Sequence, residues 1–237
     1  MTSVYYDSEE LARAAADLFV SLAQEAISAR GEFRVALSGG STPKILHAFL
    51  TTGPRREAVD WKHVFIFWGD ERYVLPSDEQ SNEKMARETL LNLVPIPENQ
   101  IFPMYAQGGP EHAADLYSST LSRLKQPPLF DLVLLGLGAD GHTASLFPDE
   151  PGVFESERLV IAAKAPVNAP DRLTLTPPAL LSARHVVFLV SGADKAEALF
   201  SMLEGDEDFN FTPAQAIARK ANKILVLADT PAASLLS

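Results

Sequence analysis

The sequence predicts an α/β fold in which helices cover both faces of a mainly parallel β-sheet. Several short apolar runs lack polar alternation, which is typical of strands that are buried on both sides. Segments with the hydrophobic spacing of helices separate these runs, as in parallel α/β proteins. Four of the runs lead directly into loops of glycines and polar or charged residues: SGGST (38–42), GDER (69–72), GLGADGH (136–142) and SGADK (191–195).

These four loops predict the position of the functional site. The carboxyl ends of parallel strands meet at one edge of a sheet, and ligands of open α/β sheets bind at that edge. Together the loops supply a glycine-rich turn, cations, carboxylates and a histidine. Their convergence is more specific than any single loop.

Length and composition indicate one soluble domain. The chain has 237 residues, 46% of them hydrophobic, and no linker, repeat or low-complexity tract divides it. We therefore predict a single domain over residues 1–237. The N-terminus lacks the features of a signal peptide, and no apolar run approaches the roughly 20 residues of a membrane span. The absence of cysteine fits a reducing compartment, so we predict a cytoplasmic protein with no membrane partner.

The net charge bears on possible partners. A value of −11 argues against nucleic acid, because affinity for phosphate backbones comes from clustered lysines and arginines. An anionic ligand would need local cations to overcome the overall field. The sequence leaves the oligomeric state open between a monomer and a homodimer.

The first glycine-rich loop has features of a phosphate site. Two glycines let the backbone approach a ligand, and free N–H groups at the start of the next helix favour an anion. Thr42 is the predicted N-cap of that helix and Pro43 its first residue. A plain turn with a capping hydroxyl is the alternative, and the spacing differs from the GxxxxGK[ST] of P-loop enzymes. The candidate phosphate ligands are Ser38, Gly39, Gly40, Ser41 and Thr42.

The loop after the second apolar strand supplies charged candidates. Asp70 and Arg72 follow that strand directly, at the edge where the site is expected. Glu71 between them is interpreted as part of a solvated turn.

Two further cations are candidates for binding an anion. Lys195 lies in the predicted first turn of a helix, where the helix dipole disfavours a cation by roughly 0.3–1 kcal/mol. An anion shared by Lys195 and the helix start would remove this conflict, although a lysine that reaches into solvent is the simpler alternative. Arg172 lies beside a loop between two predicted strands, within possible reach of the site.

The loop GLGADGH contains the ionisable pair Asp140 and His142. Residues 131–135 form the apolar strand before it, and residues 143–147 are predicted to form a single helical turn after it. Of the five histidines, His142 alone lies in a glycine-flanked loop at a strand end. The others are interpreted as structural or surface residues: His47, His63, His112 and His185.

Four motifs give the chain a resemblance to a known family. They are VALSGGSTP (35–43), WGDERYV (68–74), SNEKMARETLL (81–91) and LLGLGADGHTASLFP (134–148). With them the chain resembles the 6-phosphogluconolactonases over essentially its full length. The resemblance implies a modified Rossmann-like α/β/α sandwich, shared with sugar-phosphate isomerases and amino-sugar phosphate deaminases. It also implies hydrolysis of 6-phospho-D-glucono-1,5-lactone in the oxidative pentose phosphate pathway.

Hydrolysis of a lactone needs an oriented water, a general base and stabilisation of the tetrahedral oxyanion. We therefore predict no metal and no other cofactor. An imidazole can take up and release a proton near neutral pH, so His142 is the predicted base, with Asp140 or Asp70 to orient it. The substrate phosphate is expected on the glycine-rich loop with Lys195. The family's DER motif makes Arg72 an expected site residue, for either the phosphate or the sugar acid end.

Three alternatives remain at this point. Residues 136–141 satisfy the GxGxxG of dinucleotide-binding proteins, but late in the chain and with no convincing helix after them. An amino-sugar phosphate deaminase or isomerase would share the histidine loop and the phosphate loop. That sister family has DEY-like and IAFNEP-like motifs where this chain has DERYV and TASLFP. A non-catalytic sugar-phosphate sensor is the third alternative, although no helix-turn-helix or basic region is visible.

Overall fold

Strands and helices alternate along the chain in the computed structural model, which describes residues 1–124, 128–165 and 170–237. The strands are β1 (Thr2–Tyr5), β2 (Phe33–Leu37), β3 (Val64–Trp68), β4 (Asp70–Arg72), β5 (Leu132–Leu135), β6 (Val160–Ala163), β7 (Arg172–Leu175), β8 (His185–Val190) and β9 (Ile224–Asp229). The α-helices are α1 (Ser8–Arg30), α2 (Ser41–Leu50), α3 (Gly53–Ala58), α4 (Asn82–Thr89), α5 (Pro110–Ser122), α6 (Pro177–Leu181), α7 (Ala196–Leu203) and α8 (Pro213–Ala218). Within these described ranges, no helix is long and apolar enough to cross a membrane.

Six of the strands form one parallel sheet, in the order β1, β9, β8, β5, β2 and β3. Val35 in β2 lies between Ile66 of β3 and Leu132 of β5. Every residue of β5 and nearly every residue of β2, β3 and β8 is buried. Since successive side chains point to opposite faces, both faces of the sheet are covered. The predicted α/β fold with a mainly parallel sheet is confirmed.

A separate antiparallel sheet of three strands, in the order β4, β7 and β6, lies beside the parallel one. The sequence predicts no second sheet, and it predicts a loop rather than a strand over Asp70–Arg72. The reason is that β4 has only three residues, all polar or charged, whereas a sequence signal requires a longer apolar run. The edge strand β1 was missed because its residues are exposed or half-buried in alternation.

The predicted starts of two helices need correction. α2 begins at Ser41 with Gly40 at the N-cap, so Thr42 is not the N-cap and Pro43 is not the first residue. Gly40 has a φ of 110°, a conformation that favours glycine, and the helix starts directly after it. Lys195 is the last residue of the 3₁₀ helix Ala193–Lys195 and the N-cap of α7, one position before the predicted first turn.

The predicted helical turn over residues 143–147 is wrong. Thr143 pairs with Leu146 in an isolated antiparallel bridge. Ala144 between them has a φ of 49°, which is outside the right-handed helical region. The segment after His142 is therefore a tight turn.

His47 of α2 is a structural histidine, as predicted. It is fully buried, and burial lowers its pKa from the ordinary 6.5 to about 4. Its Nδ1 lies 2.7 Å from Thr89 Oγ1, and the hydroxyl of Thr89 donates to Met85 O. Nδ1 therefore carries the proton in the neutral ring and donates it to Thr89.

We expect this histidine to make the protein sensitive to acid. Between about pH 6.5 and about pH 4 the unfolded chain binds a proton at His47 that the folded chain does not bind, so the free energy of unfolding falls as the pH is lowered. The loss should be about 3 kcal/mol at about pH 4. Urea unfolding of the parent and of His47→Met at both ends of this range measures it. An equal loss in the two proteins would contradict the assignment.

Candidate active site

A cavity of about 340 Å³ opens at the carboxyl edge of the parallel sheet, where the four predicted loops meet. The loops after β2, β5 and β8 contribute to it, as do β4, which follows β3, and the start of α4. The lining residues are Ser38, Gly39, Gly40, Ser41, Thr42, Pro43, Asp70, Arg72, Asn82, Gly136, Leu137, Gly138, His142, Ala144, Leu189, Ser191 and Lys195.

The glycine-rich loop presents backbone to the cavity because another side chain packs against it. A Cβ on Gly39 would lie 2.0 Å from Asn82 Oδ1, so no side chain fits at this position. α2 starts at Ser41 and has no side-chain cap. The N–H groups of its first turn are therefore available to an anion in the cavity.

His142 and Asp140 form a hydrogen-bonded pair in the loop after β5. Nδ1 of His142 lies 2.5 Å from Asp140 Oδ1, which also accepts the backbone N–H of His142 at 3.2 Å. Because an ionised carboxylate only accepts, Nδ1 carries the proton and Nε2 keeps its lone pair in the neutral ring. The hydrogen bond from His142 holds the pKa of Asp140 below its ordinary value. Asp140 contacts His142 without lining the cavity itself.

Gly138 provides the space for this pair. A Cβ on Gly138 would lie 2.0 Å from His142 Nδ1 and 2.4 Å from Asp140 Oδ1. Its N–H donates to His142 O at 2.8 Å, and its carbonyl accepts from Gly141 N at 3.0 Å. The turn that holds His142 is thus closed by the backbone of Gly138.

Asp70 has a different partner from Asp140. Its Oδ2 accepts a hydrogen bond from Ser145 Oγ at 2.7 Å, and both residues are buried. The backbone N–H of Ser145 in turn donates to Thr174 Oγ1 at 3.1 Å. The sequence left Asp70 and Asp140 open as partners of the histidine, and in the structure the ring of His142 donates its hydrogen bond to Asp140.

The two candidate arginines differ in position. Arg72 lines the cavity, and its Nη1 donates to Gln80 O at 2.8 Å. Arg172 lies opposite Arg72 in the pairing of β4 with β7, and its Nη1 donates to Pro170 O at 2.9 Å. Burial and the neighbouring Arg72 lower the pKa of Arg172. Of the two, the described part of the cavity lining includes Arg72 and not Arg172.

Glu71 is buried, with 2% of its surface exposed, so the interpretation of a solvated turn is wrong. Burial raises the pKa of its carboxyl, and hydrogen bonds from backbone N–H groups act against that rise. Each carboxylate oxygen accepts two hydrogen bonds, and the four donors are Arg72 N, Asn82 N, Ser81 Oγ and Glu83 N. Three of these donors lie at the start of α4, 10 to 12 residues after Glu71. The sequence next to Glu71 does not indicate that they will contact it.

The loop after β8 is held by a buried carboxylate. Asp229, at the end of β9, accepts hydrogen bonds from Ser191 Oγ and Gly192 N. Lys195 lines the cavity and lies 3.1 Å from Asp194 Oδ2 through its Nζ. This pair is largely exposed on the Asp194 side and contributes little to stability. A phosphate in the cavity can therefore compete for Lys195.

Several lining residues were not assigned from the sequence. Asn82 and Ser191 lie within two of the conspicuous sequence segments, SNEKMARETLL and SGADK, but neither side chain stands out there as a candidate ligand. The apolar lining residues carry no chemical signal in a sequence: these are Leu137, Ala144 and Leu189.

The cavity combines donors for an anion with one acid–base group. The anion donors are the start of α2, Arg72 and Lys195, and the acid–base group is His142. In the described part of the chain, no group of three or more His, Asp or Glu side chains could hold a metal ion. This arrangement can bind a phosphorylated ligand and move a proton at His142.

Fold and site together define a Rossmann-like α/β protein whose cavity lies at the carboxyl edge of a parallel sheet. A family model described as glucosamine-6-phosphate isomerases/6-phosphogluconolactonase matches residues 6–226. The chain belongs to this family.

Relatives of known name cover almost the whole chain. The 6-phosphogluconolactonase of Mycobacterium tuberculosis is 39% identical over 243 residues, which cover 98% of this chain and 97% of the relative. The 6-phosphogluconolactonase of Synechocystis is 43% identical over 209 residues, covering 86% and 85%. The solved structure of 6-phosphogluconolactonase from Trypanosoma brucei has a TM-score of 0.89 at 29% identity and covers 100% of this chain and 98% of its own.

The sister branch of the family has the same fold. A monomeric glucosamine-6-phosphate deaminase has a TM-score of 0.83 at 24% identity. This likeness shows a shared fold alone.

Proposed function

We propose that the chain hydrolyses 6-phospho-D-glucono-1,5-lactone to 6-phospho-D-gluconate, the lactone step of the oxidative pentose phosphate pathway. The observation that carries the proposal is His142, which lines the cavity together with a helix start and two cations and is paired with Asp140 at 2.5 Å. The names of relatives at 39% and 43% identity support the same activity. The base and the metal-free route are inferred from the geometry and the chemistry.

His142 acts as the general base in this mechanism. Nε2 takes a proton from a water molecule as its oxygen attacks the lactone carbonyl carbon, and the carbonyl oxygen becomes the tetrahedral oxyanion. When the ring C–O bond breaks, the proton returns from Nε2 to the leaving ring oxygen, which becomes a hydroxyl. Asp140 keeps the proton on Nδ1 and stabilises the imidazolium between the two steps. The lactone carbonyl is already electrophilic, so the route requires neither a metal nor a nucleotide.

The phosphate of the substrate binds at the glycine-rich loop of the cavity in this proposal. The loop from Ser38 to Thr42 supplies backbone and hydroxyl donors at the start of α2. Lys195 supplies a cation, and Arg72 contributes a second positive charge. These local cations offset the overall net charge of −11.

Two assays of the purified protein test this function. Freshly generated lactone should be hydrolysed well above its spontaneous rate, whereas glucosamine 6-phosphate should release no ammonia. Ammonia release without lactone hydrolysis would assign the chain to the deaminase branch. Binding of 6-phosphogluconate without turnover of either substrate would indicate a sugar-phosphate sensor.

Replacing Lys195 with alanine is expected to weaken binding of the phosphorylated substrate. The loss of one charge-assisted hydrogen bond should raise KM about 10- to 100-fold, while kcat changes little. Steady-state kinetics of Lys195→Ala measure both parameters. Lys220→Ala is the matched control, because that lysine lies over the ring of Phe209 and outside the cavity. An unchanged KM in Lys195→Ala would remove this residue from the phosphate site.

A further inference from the structure

The Glu71 carboxylate connects two elements that each contribute a residue to the cavity. It is 2% exposed and does not line the cavity itself. Its Oε1 accepts from Arg72 N in β4 and from Asn82 N at the start of α4, both at 2.7 Å. One carboxylate oxygen therefore joins the backbone of two lining residues.

The other oxygen strengthens the same junction. Glu71 Oε2 accepts from Glu83 N at 2.7 Å and from Ser81 Oγ at 3.1 Å. The first turn of α4 is thus bound to β4 through a buried negative charge at the positive end of the helix dipole.

The position of Asn82 determines the shape of the cavity beside the glycine-rich loop. Its Nδ2 donates to Asp70 O at 2.9 Å, and its Oδ1 occupies the space where a Cβ of Gly39 would lie. A shift of α4 would move this amide against the loop that binds phosphate in our proposed function. It would also separate Asn82 from Arg72, whose Nη1 bonds to Gln80 O in the same connecting segment.

We propose that Glu71 is a positioning residue for substrate binding, which fixes the positions of Asn82 and Arg72 relative to the glycine-rich loop. This inference rests on the proposed function for the identity of the substrate. Glu71 touches neither substrate nor water in this role, and acts through the two residues that line the cavity.

The role requires a carboxylate rather than an amide. All four partners of Glu71 are donors, and an ionised carboxylate accepts at both oxygens. In Glu71→Gln, whichever way the amide is turned, its NH₂ group faces at least one backbone N–H that has lost its acceptor. A nearly isosteric substitution therefore disrupts the junction.

Steady-state kinetics of Glu71→Gln test the proposal. We expect KM for the lactone to rise about tenfold, as for a displaced hydrogen-bonding group at a ligand site. The kcat and its pH profile should be unchanged, because His142 and Asp140 lie on another loop. An unchanged KM in the folded variant would overturn the proposal, and so would a change confined to kcat.

The matched control is Asp131→Asn. Asp131 is also a buried carboxylate that accepts from several donors, among them Arg30 Nη2 and Arg34 N, but it lies at the amino end of β5. Its variant should be less stable with KM unchanged. If Glu71→Gln does not fold, Ser81→Ala replaces it, since it removes one of the four donors. A raised KM in Ser81→Ala supports the proposal, and an unchanged KM overturns it.

Calorimetric binding of 6-phosphogluconate separates this inference from the proposed function. If the parent binds the product but does not hydrolyse the lactone, the proposed function fails. The inference then stands only if Glu71→Gln binds the product more weakly than the parent does. Equal binding by the two proteins overturns it.

Discussion

Replacing His142 with alanine is expected to lower kcat for lactone hydrolysis by about 10²- to 10⁴-fold, the usual contribution of a general base. Asp140 would remain, but it does not line the cavity, so the imidazole Nε2 that takes the proton of the attacking water would be lost. KM should change little, because the phosphate contacts lie on other loops. Rates are compared after subtraction of the spontaneous hydrolysis.

The chain provides a matched control for this experiment. His63 also pairs with a carboxylate, with its Nδ1 2.8 Å from Asp60 Oδ2, but it lies outside the cavity. His63→Ala should therefore retain full activity. Near-parental turnover by folded His142→Ala would eliminate the base assignment.

Replacing Gly138 with alanine is expected to reduce kcat by about 10²-fold although it changes no titratable group. The new Cβ would lie 2.0 Å from His142 Nδ1, a distance at which one of the two must move. The imidazole would be displaced from its partner Asp140 and from the substrate. Turnover and the thermal midpoint of the folded variant are measured together.

Gly69→Ala controls for the general cost of replacing a glycine near the site. The atom nearest to a Cβ on Gly69 would be Leu37 O at 3.6 Å, which is an ordinary van der Waals contact. This variant should retain most of the activity. If Gly138→Ala retained as much activity as Gly69→Ala, the space beside Gly138 would not determine the position of His142.

The fold and the position of the cavity were predictable because both depend on local signals. Apolar runs without alternation identified β2, β3, β5 and β8, and parallel strands necessarily end at one edge. The loops after them were therefore expected to meet, and they line one cavity. His142 could be singled out because it is the one histidine that lies in a glycine-flanked loop at a strand end.

The remaining features depend on contacts between distant segments, which a single sequence does not show. Glu71 looks like a surface carboxylate until α4 is placed against it. Asp70 and Asp140 are equally plausible partners of His142 in the sequence, and the fold gives Asp70 to Ser145 instead. Arg172 was within possible reach of the site, yet its strand turns its guanidinium toward Pro170 O.

The contact between Gly39 and Asn82 has a consequence for how this protein can vary. The two positions share one small volume, because the amide of Asn82 lies where a side chain on Gly39 would be. A larger residue at the first position is compatible only with a smaller one at the second. Homologous chains should therefore show covariation at these two positions. A mutant library should vary both positions in the same clones rather than one at a time.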